Sequence, residues 1–138
     1  MKLEELRAIS EPLIAAWNEQ DPDAVVARYT EDLVYLDPNT RGAVEGPEAF
    51  RRYLTKLFER WEMHWEVKET FPLKDTDGAA GLWRASFRLP DGELEVTVDG
   101  MDIVLIEGDR VKRNEVYFDR AALVPLMADQ PAATAEAA

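Results

Sequence analysis

Through the first half of the chain, apolar residues recur at helical spacing. Leu3, Leu6 and Ile9 lead into Leu13, Ala16 and Trp17 on one stripe, the period of a helix with one face against a core. Between them, Ser10-Glu11-Pro12 leaves two readings open: Ser10 caps a fresh helix with Pro12 in its first turn, or Pro12 kinks one long helix. Asp21-Pro22-Asp23 is a cleaner start, an N-cap acid followed by proline, and predicts a helix to about Tyr29. Leu33 to Asp37 reads as a short strand stopped by Pro38-Asn39,. Glu45-Gly46-Pro47 opens a third helix, with Phe50, Tyr53, Leu54, Leu57, Phe58 and Trp61 on its apolar stripe,.

From there the period falls to two. Trp61, Met63, Trp65 and Val67 alternate with Glu62, His64, Glu66 and Lys68, which predicts a half-buried strand. Asp75-Thr76-Asp77-Gly78 turns into a strand from about Ala79 to Leu89, and Pro90-Asp91-Gly92 makes a hairpin turn,. Glu93 to Ile106 is a long strand with Asp99-Gly100 as the expected bulge, and Glu107-Gly108-Asp109 leads into a last strand, Val111 to Phe118,. Asp119 then caps a short helix bearing Leu123, Leu126 and Met127,. Helices first and hairpin-linked strands afterwards predict an α+β domain, its helices on one side of an antiparallel sheet.

Composition narrows what such a domain can do. The 138 residues include 28 acidic and 16 basic ones, for a net charge of −12, with one histidine and no cysteine. That length suits a single core, here residues 1–127, followed by an Ala/Pro-rich stretch, 128–138, too poor in apolar area to offset its ordering entropy,. Absent cysteines exclude thiol nucleophiles and thiolate metal sites, and a lone histidine excludes multi-histidine centres. The acidic excess argues against nucleic acid and anionic membrane as partners. Carboxylates in the first turn and no long apolar run argue against a signal peptide or a membrane span, leaving a cytoplasmic protein as the expectation. His64, between Glu62 and Glu66, reads as solvated,. Asp75-Thr76-Asp77-Gly78 is a turn rather than a calcium loop, since an EF-hand counted from Asp75 would place its bidentate glutamate at Ser86,.

The element order, with Ala16-Trp17-Asn18-Glu19-Gln20-Asp21-Pro22-Asp23-Ala24, Asp32-Leu33-Val34-Tyr35-Leu36-Asp37-Pro38, Gly46-Pro47-Glu48-Ala49-Phe50 and the ending Gly108-Asp109-Arg110-Val111…Val116-Tyr117-Phe118-Asp119, resembles the superfamily of nuclear transport factor two, SnoaL polyketide cyclases and ketosteroid isomerase. The resemblance implies a strongly curved antiparallel sheet wrapped around three N-terminal helices as a cone, closed by a short C-terminal helix. It also implies a ligand cavity at the open end and a homodimer. The isomerase's base, an aspartate before proline after the first strand, falls on Asp37. Its protonated aspartate falls on Asp102, and its first-helix tyrosine falls on Leu13. The last-strand aspartate of the cyclases and of limonene epoxide hydrolase falls on Val116, and the epoxide hydrolase's Arg/Asp pair meets Arg84-Ala85-Ser86, which keeps only the arginine.

Two aspartates stand where a carboxylate is expensive. Asp37 ends the strand Leu-Val-Tyr-Leu, and apolar surroundings favour a general base, while the plainer reading is an Asp-Pro turn capping loop amides. Asp102 interrupts Met101 and Ile103-Val104-Leu105-Ile106, so it needs a proton, a cavity, or a salt bridge to Arg84 or Arg113. The expected function is cofactor-free proton transfer on an apolar carbonyl compound, an isomerase- or cyclase-like activity. Asp37 and Asp102 are its catalytic candidates, and Tyr35, Asn114, Val116, Trp17, Tyr53 and Phe118 line the substrate. A module that binds a hydrophobic ligand or a partner without turnover is the rival, and a hard-cation site built on the two aspartates is a third reading.

Overall fold

The computed structural model describes residues 1–128. Its first helix, α1, runs unbroken from Leu3 to Glu19 with Pro12 inside it. Ser10 caps nothing; its hydroxyl donates to the Arg7 carbonyl at 3.4 Å. An internal proline costs about 3 kcal/mol, but Leu6, Leu13, Ala16 and Trp17 are all buried along the same stripe, and each large side chain returns roughly 1.5–3 kcal/mol.

Helix α2, Pro22–Val26, starts as expected, with the Asp21 carboxylate accepting from the Asp23 and Ala24 amides. It ends before the expected Tyr29. Strand β1, Tyr29–Leu36, begins there because Tyr29 pairs with Val111, far along the chain. Strand β2 is the two-residue Val44–Glu45, and α3, Pro47–Arg60, buries Phe50, Leu54 and Leu57.

Four long strands follow: β3 Glu62–Pro72, β4 Gly78–Arg88, β5 Glu95–Glu107 and β6 Arg110–Tyr117. The sheet order is β2-β1-β6-β5-β4-β3. The pairs are antiparallel, as the sequence predicts, except β1 with β6, which is parallel. The sheet is therefore mixed; it curls around the helices without closing.

No bulge occurs at Asp99-Gly100, because Trp83 pairs with Gly100 in an uninterrupted β4–β5 register. Gly100 serves packing instead. A Cβ there would meet the Trp83 ring at 2.4 Å. Register shifts lie instead between Val67 and Glu69 in β3, between Leu105 and Ile106 in the β5–β6 pair, and between Tyr29 and Val34 in β1.

The free edge of β3 is covered by side chains from the end of α1. Asn18 accepts from the Trp65 amide at 2.8 Å and donates to the Trp65 carbonyl at 3.1 Å. Gln20 accepts from the Met63 amide and donates to the Trp61 carbonyl. Two amide side chains thus stand in for a neighbouring strand and blunt a pairing-prone edge.

Asp119 caps a 3-10 turn, Arg120–Leu123, by accepting from the Ala121 amide, and α4, Val124–Ala128, closes the core with Leu126. The expected unstructured segment 128–138 lies outside the described residues apart from Ala128. Among the described residues, no helix is long and apolar enough to cross a membrane.

Candidate active site

Strand alternation sets the site. On β5, Val98, Gly100, Asp102, Val104 and Ile106 share the face turned to the helices, and register puts Asp102 between Gly81 of β4 and Val116 of β6,. The missing Cβ of Gly81 makes room for the carboxylate, since a methyl there would lie 2.9 Å from Asp102 Oδ1. Neither expected cation reaches Asp102. Arg84 pairs with Asp99 at 2.8 Å and Arg113 with Glu115 at 2.9 Å, both on the opposite face. An acid pressed among apolar groups without a counter-charge holds its proton more tightly. Burial pushes the Asp102 carboxyl up to about 6, against the lowering effect of the hydrogen bonds it accepts, that from Asn114 foremost.

Those hydrogen bonds belong to a directed chain. Trp17 Nε1 donates to the Tyr29 hydroxyl at 3.3 Å, which donates to Asn114 Oδ1 at 2.8 Å. Asn114 Nδ2 then donates to Asp102 Oδ2 at 3.0 Å and to the Ile103 carbonyl at 3.2 Å. Burial drives the Tyr29 phenol well above its ordinary range, so it stays a donor and the amide can satisfy it only with its oxygen. The NH2 of Asn114 is thereby aimed at Asp102.

Asp102 opens on a cavity of about 380 Å³, mouth included, whose walls also carry Leu13, Trp17, Tyr35, Trp65, Asn114 and Val116. Leu13, Ile14, Trp83 and Asp102 also line a second, still more apolar chamber of about 530 Å³ beneath Leu6 and Ile9 of α1. Trp65 Nε1 is buried and has no partner among the described residues. Of the residues named as substrate-lining, Trp17, Tyr35, Asn114 and Val116 line this cavity. Leu13, Trp65, Trp83 and Gly81 complete the site. Alternation already turned Trp65 inward, but nothing in the sequence distinguished it from packing.

Asp37, Tyr53 and Phe118 are not among the residues that line this cavity. Phe118 packs its ring on Trp83 and Phe87. The Asp37 carboxylate is buried and held by four donors: Tyr35 and Tyr53 hydroxyls on Oδ2 at 2.7 and 2.6 Å, and the Asn39 and Thr40 amides on Oδ1 at 2.6 and 3.1 Å. The plainer reading, a turn-capping aspartate, describes its contacts, with two phenols added. Both phenols are pushed up by burial first and by the neighbouring carboxylate second. Among the described residues, no group of three or more His, Cys, Asp or Glu side chains is placed to hold a metal ion.

Residues 11–114 match the SnoaL-like domain family, and the chain belongs to it. By sequence, no curated protein matches the chain. Solved structures share the fold at low identity. A protein with a ketosteroid isomerase-like fold from Catenulispora acidiphila, in complex with trimethylamine, superposes with a TM-score of 0.76 at 14% identity, over 89% of this chain and 96% of that one. TerC, co-crystallised with polyporic acid, gives 0.76 at 14% identity over 90% and 98%. SalBIII, an epoxide hydrolase/cyclase-like enzyme of pyran ring formation in the polyether salinomycin, gives 0.75 at 20% identity over 86% and 94%.

Proposed function

We propose that the chain is a cofactor-free acid–base enzyme in which Asp102 moves a proton on an apolar, carbonyl-containing small molecule. The observation that carries this is an unpaired carboxylate, raised to about 6, on the wall of an apolar cavity. A base of that strength is largely ionised at neutral pH yet still returns its proton readily. Ionised Asp102 takes a proton from carbon next to the carbonyl, and the resulting acid delivers it elsewhere on the same molecule. Asn114 holds the carboxylate in place. Trp65 Nε1, left without a partner, is the donor we assign to the substrate oxygen, where burial makes an unmet hydrogen bond costly. Asp37, with its oxygens occupied, is assigned to architecture. The isomerase- and cyclase-like character of some structural neighbours supports this reading.

The test is a panel of apolar ketones, lactones and epoxides. Trp17, Trp65 and Trp83 report binding by fluorescence, and mass spectrometry of each mixture reports turnover. For a converted compound, kcat/KM should rise with pH through about 6, the value for Asp102, and Asp102→Asn should lower it by roughly 100-fold or more. An unchanged rate in that variant would refute the assignment.

Leu13 and Val116, apolar at two positions where relatives carry polar groups, favour a second reading: the cavity binds without turnover. Binding by several compounds with no product from any would support it. We also read the outer row Leu82–Met101–Tyr117, aligned across β4, β5 and β6 and exposed, as the surface covered by a second copy of the chain.

A further inference from the structure

Outside the cavity, basic side chains gather in one place. Lys56 and Arg60 of α3 and Arg120 of the 3-10 turn line a surface groove of about 520 Å³, mouth included, together with Asn39, Tyr53 and Trp61. This convergence is unusual in a chain of net charge −12. Arg51, Lys68, Arg84, Arg88 and Arg113 each reach a carboxylate. Among the described residues, Lys56, Arg60 and Arg120, like several other surface cations, have no carboxylate within ion-pair distance; what sets these three apart is that they face one groove.

The groove is held rather than merely exposed. Arg120 Nε donates to Asn39 Oδ1 at 2.7 Å, and the Asn39 amide donates to Asp37 Oδ1 at 2.6 Å. Tyr53, which lines the groove, donates to the other oxygen of the same carboxylate at 2.6 Å. Arg60 lies over the Trp61 ring with its guanidinium carbon 5.2 Å from the centroid, a cation–π placement that limits its swing. The buried Asp37 therefore fastens one wall of the groove, through Asn39 to Arg120 and through Tyr53. At physiological ionic strength, fields fade beyond about 8 Å, so most of the acidic excess is screened from the groove, and the one carboxylate fastened to its wall, Asp37, offsets a single charge of the three cations facing one space.

We propose that this groove binds the oxyanion group, carboxylate or phosphate, of a small aromatic molecule. Lys56, Arg60 and Arg120 contact the anion, and the half-buried Tyr53 ring contacts its body. Guanidinium groups suit this because their forked donors match two oxygens of one anion. The site is separate from the cavity around Asp102 and does not depend on the function proposed for it.

The experiment titrates the whole chain with phenyl phosphate, benzoate and phenol by calorimetry and by NMR of arginine side chains. Saturable binding of phenyl phosphate or benzoate is expected, with none for phenol, and the tighter of the two identifies the preferred anion. The double variant Lys56→Gln/Arg60→Gln, with exposed positions and a folded state checked by circular dichroism, should bind at least about tenfold more weakly. Asp102→Asn should leave the affinity within about twofold. The proposal fails if neither anion saturates by about 10 mM, or if the double variant binds as well as the parent chain. It fails too if Asp102→Asn tightens binding, since that result would put the anion in the cavity.

Discussion

Asn114 donates to Asp102 at 3.0 Å while the oxygen of the same amide accepts from Tyr29 at 2.8 Å. One side chain thus couples the cavity's carboxylate to a buried phenol of β1 that packs on Phe50 of α3 and accepts from Trp17 of α1. It also explains how an unpaired acid survives in an apolar wall: a neutral amide, aimed from behind, offsets part of the cost of burial without supplying a charge.

Removing the phenol should undo that aim. In Tyr29→Phe, Trp17 Nε1 loses its acceptor and Asn114 Oδ1 its donor, so stability should fall by about 2–3 kcal/mol for two stranded buried groups. With the amide free to turn, Asp102 should titrate above its parent value. Carbon-detected NMR of the carboxyl group would follow this, and an unmoved titration would show that the phenol does not set the amide.

Asp102 should also make the fold sensitive to pH in an unusual direction. Its carboxyl is raised in the native state, to about 6 from an ordinary 3.8, so between those values the native chain holds more proton than the unfolded one. Its contribution therefore declines as pH climbs from about 4 to about 6, and above 6 the native state bears a buried charge. Asp102→Asn should match the parent near pH 4 and exceed it at pH 7 by at most about 3 kcal/mol. Denaturant unfolding across that range measures the difference.

Asp37→Ala leaves four donors without their acceptor, two of them phenols. A loss of about 3 kcal/mol in stability is expected, with turnover per folded molecule kept within a few-fold and the groove's anion affinity reduced. Thermal melting alongside activity distinguishes this outcome from a catalytic role, which would abolish turnover while the fold persists.

Gly100→Ala places a methyl against the Trp83 ring, which also lines the cavity. Overpacking of this kind costs about 1–3 kcal/mol. Displacing the indole should change the cavity's ligand preference as well, visible as altered fluorescence quenching across the ketone panel.

The outer row predicts an association state. Met101→Lys puts a charge in the middle of Leu82, Met101 and Tyr117, and should convert a dimer to a monomer in sedimentation velocity with little change in the folded monomer's spectrum. A parent chain that is already monomeric would remove the basis for covering this face.

Much of this architecture is legible in the sequence because it follows from local rules. The change of apolar period at Trp61 marks where helices give way to strands. Asp21 and Asp119 mark helix starts because their carboxylates accept from nearby amides, and Pro47 because its fixed φ suits a first helical position that needs no N–H,. An aspartate amid Met101 and Ile103–Ile106 signals a cavity, a proton or a salt bridge, and only the pairing of Arg84 with Asp99 and Arg113 with Glu115 removes the last. What tertiary structure decided are the relations between distant residues. Tyr29 began a strand rather than ending a helix because Val111 lay beside it, and Gly100 flattened against an indole rather than bulging. Asp37 and Asp102 look alike on paper, each an acid at an apolar strand. Their difference lies in what surrounds them: four donors converge on Asp37 from a turn and two tyrosines, whereas one amide reaches Asp102 and the rest of its surroundings is apolar wall and open space. Local sequence determines which residue types share a face, but the partners that neutralise or expose a charge arrive only when the chain folds back on itself.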